Sequence, residues 1–339
     1  MEKLAIVILN YNGKNHLEKF LPSVVNFSKA YPIYVVDNGS TDDSLKFLQG
    51  NFPQINILAF EENNGFSKGY NLAFNHIKAE YYILLNSDVE VTSNWIAPIL
   101  QLMESDCKIS ACQPKIKSFV NREYFEYAGA AGGFIDKYGF PFCRGRIFST
   151  IEKDEGQYND ITEIFWASGA CMFVRAEIYH QLGGLDDDFF AHMEEIDLCW
   201  RMQNAEYKIM YCGYSTVYHL GGGTLPKSHP RKTFLNFRNG ILLLYKNLPS
   251  QKLFTTIFIR LFLDGIAAIK FLFSETVSDF LAILKAHFSF YRYFNKWNEN
   301  RQKVQIFVKK DSSEKLFPNS IVKDYFWNKK KTYNQLFNK

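Results

Sequence analysis

The chain has 339 residues, of which 47% are apolar and 22% are charged. These proportions exclude a disordered chain and a collagen-like repeat, and a chain of this length can bury a large core without disulfides or a structural metal. The net charge of +4 hides an asymmetry, because residues 295–339 contain 11 Lys and Arg against 4 Asp and Glu. A basic tail on a slightly acidic body favours an anionic partner surface, either a membrane or a nucleic acid.

The cysteines and the N-terminus indicate a reducing compartment. None of the six cysteines forms a C-x-x-C pair, so we expect free core thiols and no zinc site. Met1-Glu2-Lys3 leads directly into a strand-like run without a secretory signal, and no long uncharged apolar segment predicts a transmembrane helix. The sequence therefore predicts a cytoplasmic protein.

The first 90 residues alternate between strand and helix patterns. We expect a parallel sheet with helices on both faces, built from strands at 4–9, 33–36, 55–60 and 81–85 and helices at 16–27, 41–48 and 67–77. Ser40 or Thr41 is the expected N-cap of the second helix. In such a sheet, ligands bind beyond the carboxyl ends of the strands.

The rest of the chain divides at about residue 230. A strand is predicted over 164–174, a helix over 193–203 and a strand over 207–211, and from 231 the pattern is helical. We therefore expect a catalytic α/β domain at 1–230 and a helical, amphipathic, basic extension at 231–339. Within 253–294 the charged residues Arg260, Asp264 and Lys270 group on one side of a wide apolar face. This pattern predicts either a membrane-surface helix pair or helices packed on the core or in a dimer.

Three polar clusters follow predicted strands, at 10–13, 37–42 and 86–88. Asp37 can accept hydrogen bonds from a ligand such as a nucleobase, and the carboxylate of Asp88 suits a hard cation that shares its other ligands with phosphates. Ordinary turn chemistry is the alternative for both. Gly65 and Gly69 at a helix start would let a ligand approach the backbone, but G-x-G-x-x-G is absent after the first strand, which disfavours hydride transfer.

Two further segments can carry chemistry. Glu194, Asp197 and Arg201 share one helical face and can form a salt-bridge network, and mutual repulsion among Glu194, Glu195 and Asp197 favours a raised pKa, as a general base needs. His219 precedes three glycines and is a candidate metal ligand, although a lone histidine is more often structural.

Taken in order, these motifs resemble the family 2 glycosyltransferases, which have the GT-A fold. The matching segments, between Leu4 and Thr224, are V-I-L-N-Y-N-G, V-V-D-N-G-S-T-D, N-N-G-F-S-K-G-Y-N, L-L-N-S-D, S-G-A-C-M-F-V, E-E-I-D-L and H-L-G-G-G. The sequence is most similar to the bacterial rhamnosyltransferase-like branch, which also has an R-N-x-x-x-x-x-x-K-N segment like the one from Arg238 to Asn247.

The resemblance implies inverting transfer of a sugar from dTDP-rhamnose or a UDP-sugar to a glycan or lipid-linked acceptor in cell-surface polysaccharide assembly, with Mg²⁺ or Mn²⁺. It implies the following roles: nucleotide binding for Asn10, Tyr11, Asn12, Asp37, Gly65, Asn71 and Asn86; metal binding for Asp88 and His219; and general base for Glu195, or for Glu194 or Asp197. Asn86 replaces the first Asp of the family's D-x-D motif, and Glu195 replaces its usual Asp. Trp166, beside Ser168 and Gly169, can stack on an acceptor sugar or lie in the core.

Two other functions fit parts of the pattern. A sugar-phosphate nucleotidyltransferase also binds nucleotides on an α/β sheet, but residues 10–14 lack the glycine-rich basic loop that it would need. A non-catalytic GT-A scaffold at the membrane is permitted by Asn86 and Glu195. We expect a peripheral position on the inner face of the plasma membrane, and no nucleic-acid partner, because the basic run lacks a recognised reading motif.

Overall fold

The computed structural model describes residues 1–221, 230–274 and 276–337. The strands, in chain order, are β1 (Glu2–Asn10), β2 (Ile33–Asn38), β3 (Asn56–Phe60), β4 (Ala79–Asn86), β5 (Val89–Val91), β6 (Ile109–Ser118), β7 (Gly133–Ile135), β8 (Pro141–Cys143), β9 (Arg146–Ile147), β10 (Thr150–Ile151), β11 (Ile161–Ile164), β12 (Cys171–Arg175) and β13 (Lys208–His219). The helices are α1 (Lys14–Phe27), α2 (Ser44–Asn51), α3 (Gly65–His76), α4 (Ala97–Ser105), α5 (Ala176–Gln181), α6 (Glu194–Asn204), α7 (Pro230–Asn247), α8 (Ser250–Ser274), α9 (Val277–Arg292), α10 (Phe294–Gln305), α11 (Ile321–Phe326) and α12 (Tyr333–Leu336). Short 3-10 turns lie at Asp187–Phe189 and Ser312–Lys315.

The central sheet runs in the order β11-β13-β6-β12-β4-β1-β2-β3, with β5 paired to β13. The strands β3, β2, β1 and β4 are parallel, as predicted, whereas β12 is antiparallel to both β4 and β6. A second, small sheet contains β7 to β10. The expected α/β architecture is confirmed, with a mixed sheet in which β6 and β13 are also parallel to each other.

Alternate residues of β1 explain why this strand lies at the centre. Ala5 and Val7 pack into a core on one face of the sheet, and Leu4, Ile6 and Ile8 pack into a core on the other. A strand that is buried on both faces needs this continuous apolar sequence.

Two local predictions were wrong. The strand predicted over 164–174 is two strands, β11 and β12, separated by residues 165–170. Helix α2 begins at Ser44 with Asp43 at its N-cap, so neither Ser40 nor Thr41 caps it. The Ser40 hydroxyl instead accepts a hydrogen bond from the Asn12 backbone N–H. Both differences arise because tertiary contacts outweigh local propensity in these segments.

The C-terminal helices pack against the sheet domain. Residues 241–244 of α7 are fully buried in the same core as β1, and the Lys309 backbone N–H bonds to the Asn204 carbonyl at the end of α6. The Ile321 backbone N–H donates to the Asp136 carboxylate, beside the small sheet. The division at residue 230 stays a prediction, although α7 begins there.

Helix α8 has its charged side turned inward. Arg260 and Asp264 are 3% and 0% exposed and form an ion pair at 2.7 Å, and Arg260 also donates to the carbonyls of Tyr138 and Gly139. The predicted charged stripe therefore does not face water at Arg260 and Asp264, whereas Lys270 is exposed. Among the residues described, no helix combines the length and the apolar character needed to cross a bilayer.

Candidate functional site

Three neighbouring strands place the predicted polar residues along one edge of the sheet. In the registers of β1 with β2 and of β1 with β4, Asn10 lies opposite Asp37 and Leu9 lies opposite Asn86. The carboxyl ends of parallel strands are the usual ligand-binding edge of such a sheet. The fold thus brings the first three motifs together.

The first corner of this edge contains Asn10, Asn12 and Asp37. The buried Asp37 carboxylate accepts hydrogen bonds from the Asn10 amide at 3.0 Å and from the Ser40 backbone N–H at 3.0 Å. The Asn12 side-chain oxygen accepts from the Thr41 backbone N–H at 2.7 Å. Asp37 is therefore rigidly oriented, while the neighbouring Tyr11 ring is exposed.

Gly13 is needed beside this corner. A Cβ at Gly13 would lie 2.3 Å from Asn10 Oδ1, a buried atom without a hydrogen-bond partner among the residues described. The missing side chain at Gly13 therefore makes room for the Asn10 amide itself.

The second corner lies at the start of α3. The Asn38 side chain donates to Asn63 Oδ1 and to the Gly65 carbonyl, at 3.1 and 3.0 Å, and accepts from the Asn64 backbone N–H. Gly65 has φ +75°, and its Cβ position would lie 3.3 Å from the Phe190 ring. Sequence analysis did not select Asn38, which fixes this turn against β2.

Asn71, on the same helix, has a different environment. Its amide nitrogen donates to the Leu185 carbonyl at 2.7 Å and to Asp187 at 2.8 Å, and its oxygen accepts from the Tyr179 hydroxyl and the Leu185 backbone N–H. The polar atoms of this amide are therefore engaged in holding the turn before α6. The structure does not bring Asn71 to the strand edge as a free nucleotide ligand.

The third corner joins Asp88, His219 and Glu126. His219 Nε2 lies 3.1 Å from Asp88 Oδ1 and its Nδ1 lies 3.3 Å from Glu126 Oε2, and all three residues are buried. Burial alone would lower the pKa of His219, but the hydrogen bonds to Asp88 and Glu126 outweigh it and raise the pKa to about 10. His219 reaches this position because the end of β13 pairs with Val89 of β5.

This corner suits a cation that is bound partly by substrate. Within the described ranges no three His, Cys, Asp or Glu side chains are arranged to hold a metal ion. Asp88 offers a carboxylate and Asn86 ends β4 two residues before it, whereas His219 can bind a metal ion only after it loses the proton that Asp88 and Glu126 stabilise. Mg²⁺ and similar ions commonly take one or two protein ligands and complete their shell with phosphate and water. The residues present therefore fit such an ion, while Gly222 and Gly223 of the motif lie outside the described residues.

Helix α6 begins with the acidic cluster, and its members differ. Asp197 is fully buried and is bound by Arg201 at 2.8 Å, Lys246 at 3.0 Å and Asn247 at 2.9 Å. Burial would raise the pKa of Asp197, but Arg201 and Lys246 outweigh that effect and lower it. Asp197 thus anchors the helix, and the predicted pairing with Arg201 is confirmed.

Glu194 and Glu195 lack such partners. Each has a buried Oε2 atom without a hydrogen-bond partner in the described chain. Burial, reinforced by Glu195, raises the pKa of Glu194 well above its usual value. Burial raises the pKa of Glu195 to about 7, which is the range of an effective general base.

Glu195 lies next to Gly169, and Gly169 lies next to the sheet edge. A Cβ at Gly169 would be 4.0 Å from Glu195 Cβ and 3.3 Å from the Phe66 ring. The following residue, Ala170, accepts a hydrogen bond from the Asn86 backbone N–H at 3.0 Å. This chain of contacts connects the end of β4 to the start of α6.

The other predicted acceptor residues are structural in this conformation. Trp166 is 4% exposed and its indole N–H donates to the Phe134 carbonyl at 2.9 Å, so it has no exposed ring face for a sugar. Ser168 is buried, its backbone N–H donates to Gln113 and its hydroxyl donates to the Ala128 carbonyl. Of the three, only Gly169 contacts the candidate site.

Sequence analysis also missed Glu126 and the role of the segment from Arg238 to Asn247. Glu126 lies in an irregular stretch without a strand-end signal. The Asn239 amide and the Lys246 ammonium both contact the region around α6. The R-N and K-N pairs of that segment were the available signal, but only the fold shows what they bind.

Comparison with known proteins shows which family the chain resembles. A family model described as glycosyl transferase family 2 matches residues 5–183. The chain is 24% identical over 231 residues to the N-acetylglucosaminyl-diphospho-decaprenol L-rhamnosyltransferase of Mycobacterium tuberculosis, covering 64% of this chain and 75% of that protein. It is 25% identical over 219 residues to rhamnosyltransferase WbbL of Escherichia coli, covering 61% and 79%.

Two solved structures share the fold. GalNAc-T7, with UDP, GalNAc and Mn²⁺, aligns with a TM-score of 0.57 at 17% identity, over 73% of this chain and 48% of that one. The mannosyltransferase PcManGT of Pyrobaculum calidifontis, with GDP-Man and Mn²⁺, aligns with a TM-score of 0.52 at 11% identity, over 96% and 88%. Together with the ordered motifs at the strand edge, the match to the family model over more than half of the chain identifies this protein as a member of glycosyl transferase family 2.

Proposed function

We propose that this glycosyltransferase inverts the anomeric carbon while moving a sugar from dTDP-rhamnose or a UDP-sugar to a hydroxyl group of a glycan or lipid-linked acceptor, in cell-surface polysaccharide assembly. The observation that carries the proposal is the position of Glu195: an unpaired, buried carboxylate oxygen beside Gly169, next to the edge that holds Asp37 and Asp88. Rhamnose is the first sugar to test because two relatives are named as rhamnosyltransferases.

The strand edge would bind the donor. Asp37, fixed by Asn10 and Ser40, would accept hydrogen bonds from the base, with Tyr11 and Asn12 beside it. Gly65, at the start of α3, would border the ribose or diphosphate.

Asp88 and His219 would hold Mg²⁺ or Mn²⁺, with Asn86 close by. When bound, the ion supplies positive charge that stabilises the departing diphosphate. Both solved structures that share the fold contain Mn²⁺, which supports this choice of ions.

Glu195 would act as the base. Its carboxylate takes the proton of the acceptor hydroxyl, the acceptor oxygen forms the new bond to the anomeric carbon, and the bond from that carbon to the diphosphate oxygen breaks. A single displacement by one base inverts the configuration, unlike the two-carboxylate route of retaining hydrolases.

A donor screen tests the proposal. The purified chain is incubated with Mn²⁺ and each of a panel of nucleotide-sugars, donor binding is followed by thermal shift, and released nucleoside diphosphate is measured with a membrane-lipid extract as acceptor source. We expect stabilisation by dTDP-rhamnose or a UDP-sugar and release of the matching diphosphate. Release of pyrophosphate would indicate a nucleotidyltransferase, and an absence of donor and metal binding would indicate a non-catalytic scaffold.

We also propose that α8 and α9 attach the enzyme to the cytoplasmic membrane surface. Because the charged side of α8 is buried, its other side exposes a stripe of large apolar residues, and α9 continues it: Phe254, Phe258, Phe262, Ile266, Ile269, Phe273, Leu281, Leu284 and Phe288, each between 44% and 83% exposed. So large an exposed apolar surface indicates an interaction site. Exposed lysines at 270 and 285 are on the same helices, which favours an anionic bilayer.

The basic tail contributes less to the proposed membrane binding than its composition suggests. Lys331 lies over the Tyr325 ring at 3.2 Å, and Lys330 lies 4.0 Å from the Asp324 carboxylate. These cations are partly neutralised within the fold, so we expect apolar insertion to dominate over the tail's attraction.

Vesicle flotation tests the attachment. The chain is mixed with phosphatidylglycerol–phosphatidylethanolamine vesicles, alone and as the triple variant Phe254→Ser, Phe258→Ser, Phe262→Ser. The control is Val120→Ser with Tyr214→Ser, which removes two exposed apolar residues of the catalytic domain. We expect flotation of the native and control chains, weakened by salt, and loss of flotation for the triple variant. Equal flotation of the triple variant, or a stable dimer that does not bind vesicles, would contradict membrane attachment through these helices.

A further inference from the structure

The loop that precedes α6 has an unusual backbone. Phe190, His192 and Met193 have φ values of +64°, +69° and +75°, although none of them is glycine. Side chains with a Cβ avoid this region, so three such residues within four positions persist only where surrounding contacts hold them. The next residue along the chain is Glu194, followed by Glu195.

Asn239 of α7 supplies those contacts. Its fully buried amide nitrogen lies 3.0 Å from the Phe189 carbonyl oxygen, 3.0 Å from that of Ala191 and 2.7 Å from that of His192. One NH₂ group thus contacts three backbone carbonyl oxygens in and next to the strained loop.

Arg238 fixes the direction of that amide. Its Nε and Nη2 atoms donate to Asn239 Oδ1 at 2.8 and 2.7 Å, so the amide oxygen faces the guanidinium and the nitrogen faces the loop. Arg238 Nη2 also donates to the carbonyls of Asp188 and Phe189. The pair therefore binds the loop from one side as a unit.

The same loop also touches the donor half of the site. The Phe190 ring packs against Gly65, and the Phe66 backbone N–H lies 3.4 Å from the Phe190 carbonyl oxygen. A loop held between Gly65 and the start of α6 sets the position of the base relative to the donor edge.

We infer that Asn239, oriented by Arg238, is a positioning residue that holds the 190–193 loop in its left-handed conformation and thereby places Glu195 for proton transfer. The inference rests on the proposed function for its catalytic consequence, whereas the conformational consequence is independent of it. A small displacement of a base lowers turnover steeply without weakening donor binding.

The test compares Asn239→Asp, which keeps the size but removes the donor, with Asn236→Asp, a half-buried asparagine one turn earlier on α7. Hydrogen exchange of the peptide covering 187–196 is measured in the ligand-free protein. Turnover is measured as nucleoside diphosphate release from whichever donor proves active in the screen. We expect at least about tenfold faster exchange of that peptide and about 100-fold lower kcat in Asn239→Asp, with donor KM and melting temperature close to native, and no change in Asn236→Asp.

The two readouts separate the hypotheses. Unchanged exchange in Asn239→Asp overturns the positioning role, and so does native kcat in that variant while Glu195→Gln is inactive. A loss of kcat accompanied by a parallel rise in donor KM and a fall in melting temperature also overturns it, since that pattern reports general destabilisation. If Glu195→Gln remains active, the proposed base is wrong, and the exchange data alone decide whether Asn239 holds the loop. Arg238→Gln is the second variant, and we expect it to accelerate exchange of the same peptide.

Discussion

At the scale of single residues, three acids within four positions of α6 have three different electrostatic environments. Arg201 and Lys246 outweigh the burial of Asp197 and lower its pKa. Burial and the neighbouring Glu195 both raise the pKa of Glu194 well above its usual value. Glu195 lies between these extremes, which is why we select it as the base from a cluster that the sequence left undivided.

The pKa of Glu195 predicts the acid limb of the activity profile. Burial raises this pKa to about 7, so the basic form is lost as the pH falls below that value. We expect kcat/KM for transfer to rise as the pH increases through about 7 and then to level off. Steady-state rates across the neutral range check this, with donor binding followed over the same range as a control. A flat profile, or an unchanged acid limb in a residually active Glu195→Gln variant, would contradict the assignment.

Sequence patterns identified Asp37, Asp88 and His219 because strand ends and a glycine-rich turn mark them. They could not identify Glu126, which contacts His219 from a stretch without regular periodicity. Sequence patterns also could not distinguish a surface tryptophan from a buried one. Trp166 is buried because its ring packs directly on Gly133, where a Cβ would lie 2.0 Å from the indole.

At the scale of secondary structure, α8 has the amphipathic pattern that the sequence predicts, and its charged side, rather than its apolar side, faces the protein. Hydrophobic periodicity specifies that the two sides differ, but not which one faces the protein. Carbonyl groups of Tyr138 and Gly139 accept hydrogen bonds from Arg260 and draw the charged side inward. The parallel pairing of β1 to β4, by contrast, followed from the alternation of strand and helix patterns, which favours parallel strands.

The buried ion pair of α8 makes a stability prediction. Asp264→Ala leaves the buried Arg260 guanidinium without its carboxylate, and we expect the free energy of unfolding to fall by about 3–5 kcal/mol. Denaturant unfolding measures this change. The matched control is Glu314→Ala, which breaks an exposed pair with Lys310 at the same i, i+4 spacing and should change stability by less than about 0.5 kcal/mol. Equal effects of the two substitutions would show that the α8 pair is not buried as described.

At the scale of the whole molecule, the C-terminal helices contact the proposed catalytic segment as well as forming the proposed membrane surface. Helix α7 fills the core beside β1 and binds the α6 segment through Asn239, Lys246 and Asn247. The composition of residues 231–339 predicted a separate helical extension, but composition does not report packing. The buried leucines of α7 are the physical reason why the extension lies against the sheet.

The proposed metal site at Asp88 and His219 predicts that the metal ion and the nucleotide bind cooperatively. Because the proposed site would supply only Asp88 and His219 as protein ligands, we expect weak Mn²⁺ binding alone and much tighter binding with nucleoside diphosphate present, by about tenfold or more. Calorimetric titration of Mn²⁺ with and without UDP or dTDP measures this coupling, and Asp88→Asn should abolish it. Equal affinity under both conditions would contradict a metal shared with the diphosphate.

The most direct measurement is the turnover of Glu195→Gln with the active donor, with donor affinity determined on the same sample. The glutamine keeps the shape of the side chain but cannot take a proton, so we expect transfer to fall by about 10²–10⁴-fold while the donor binds with native affinity. Transfer at the native rate with native donor affinity would show that Glu195 is not the base.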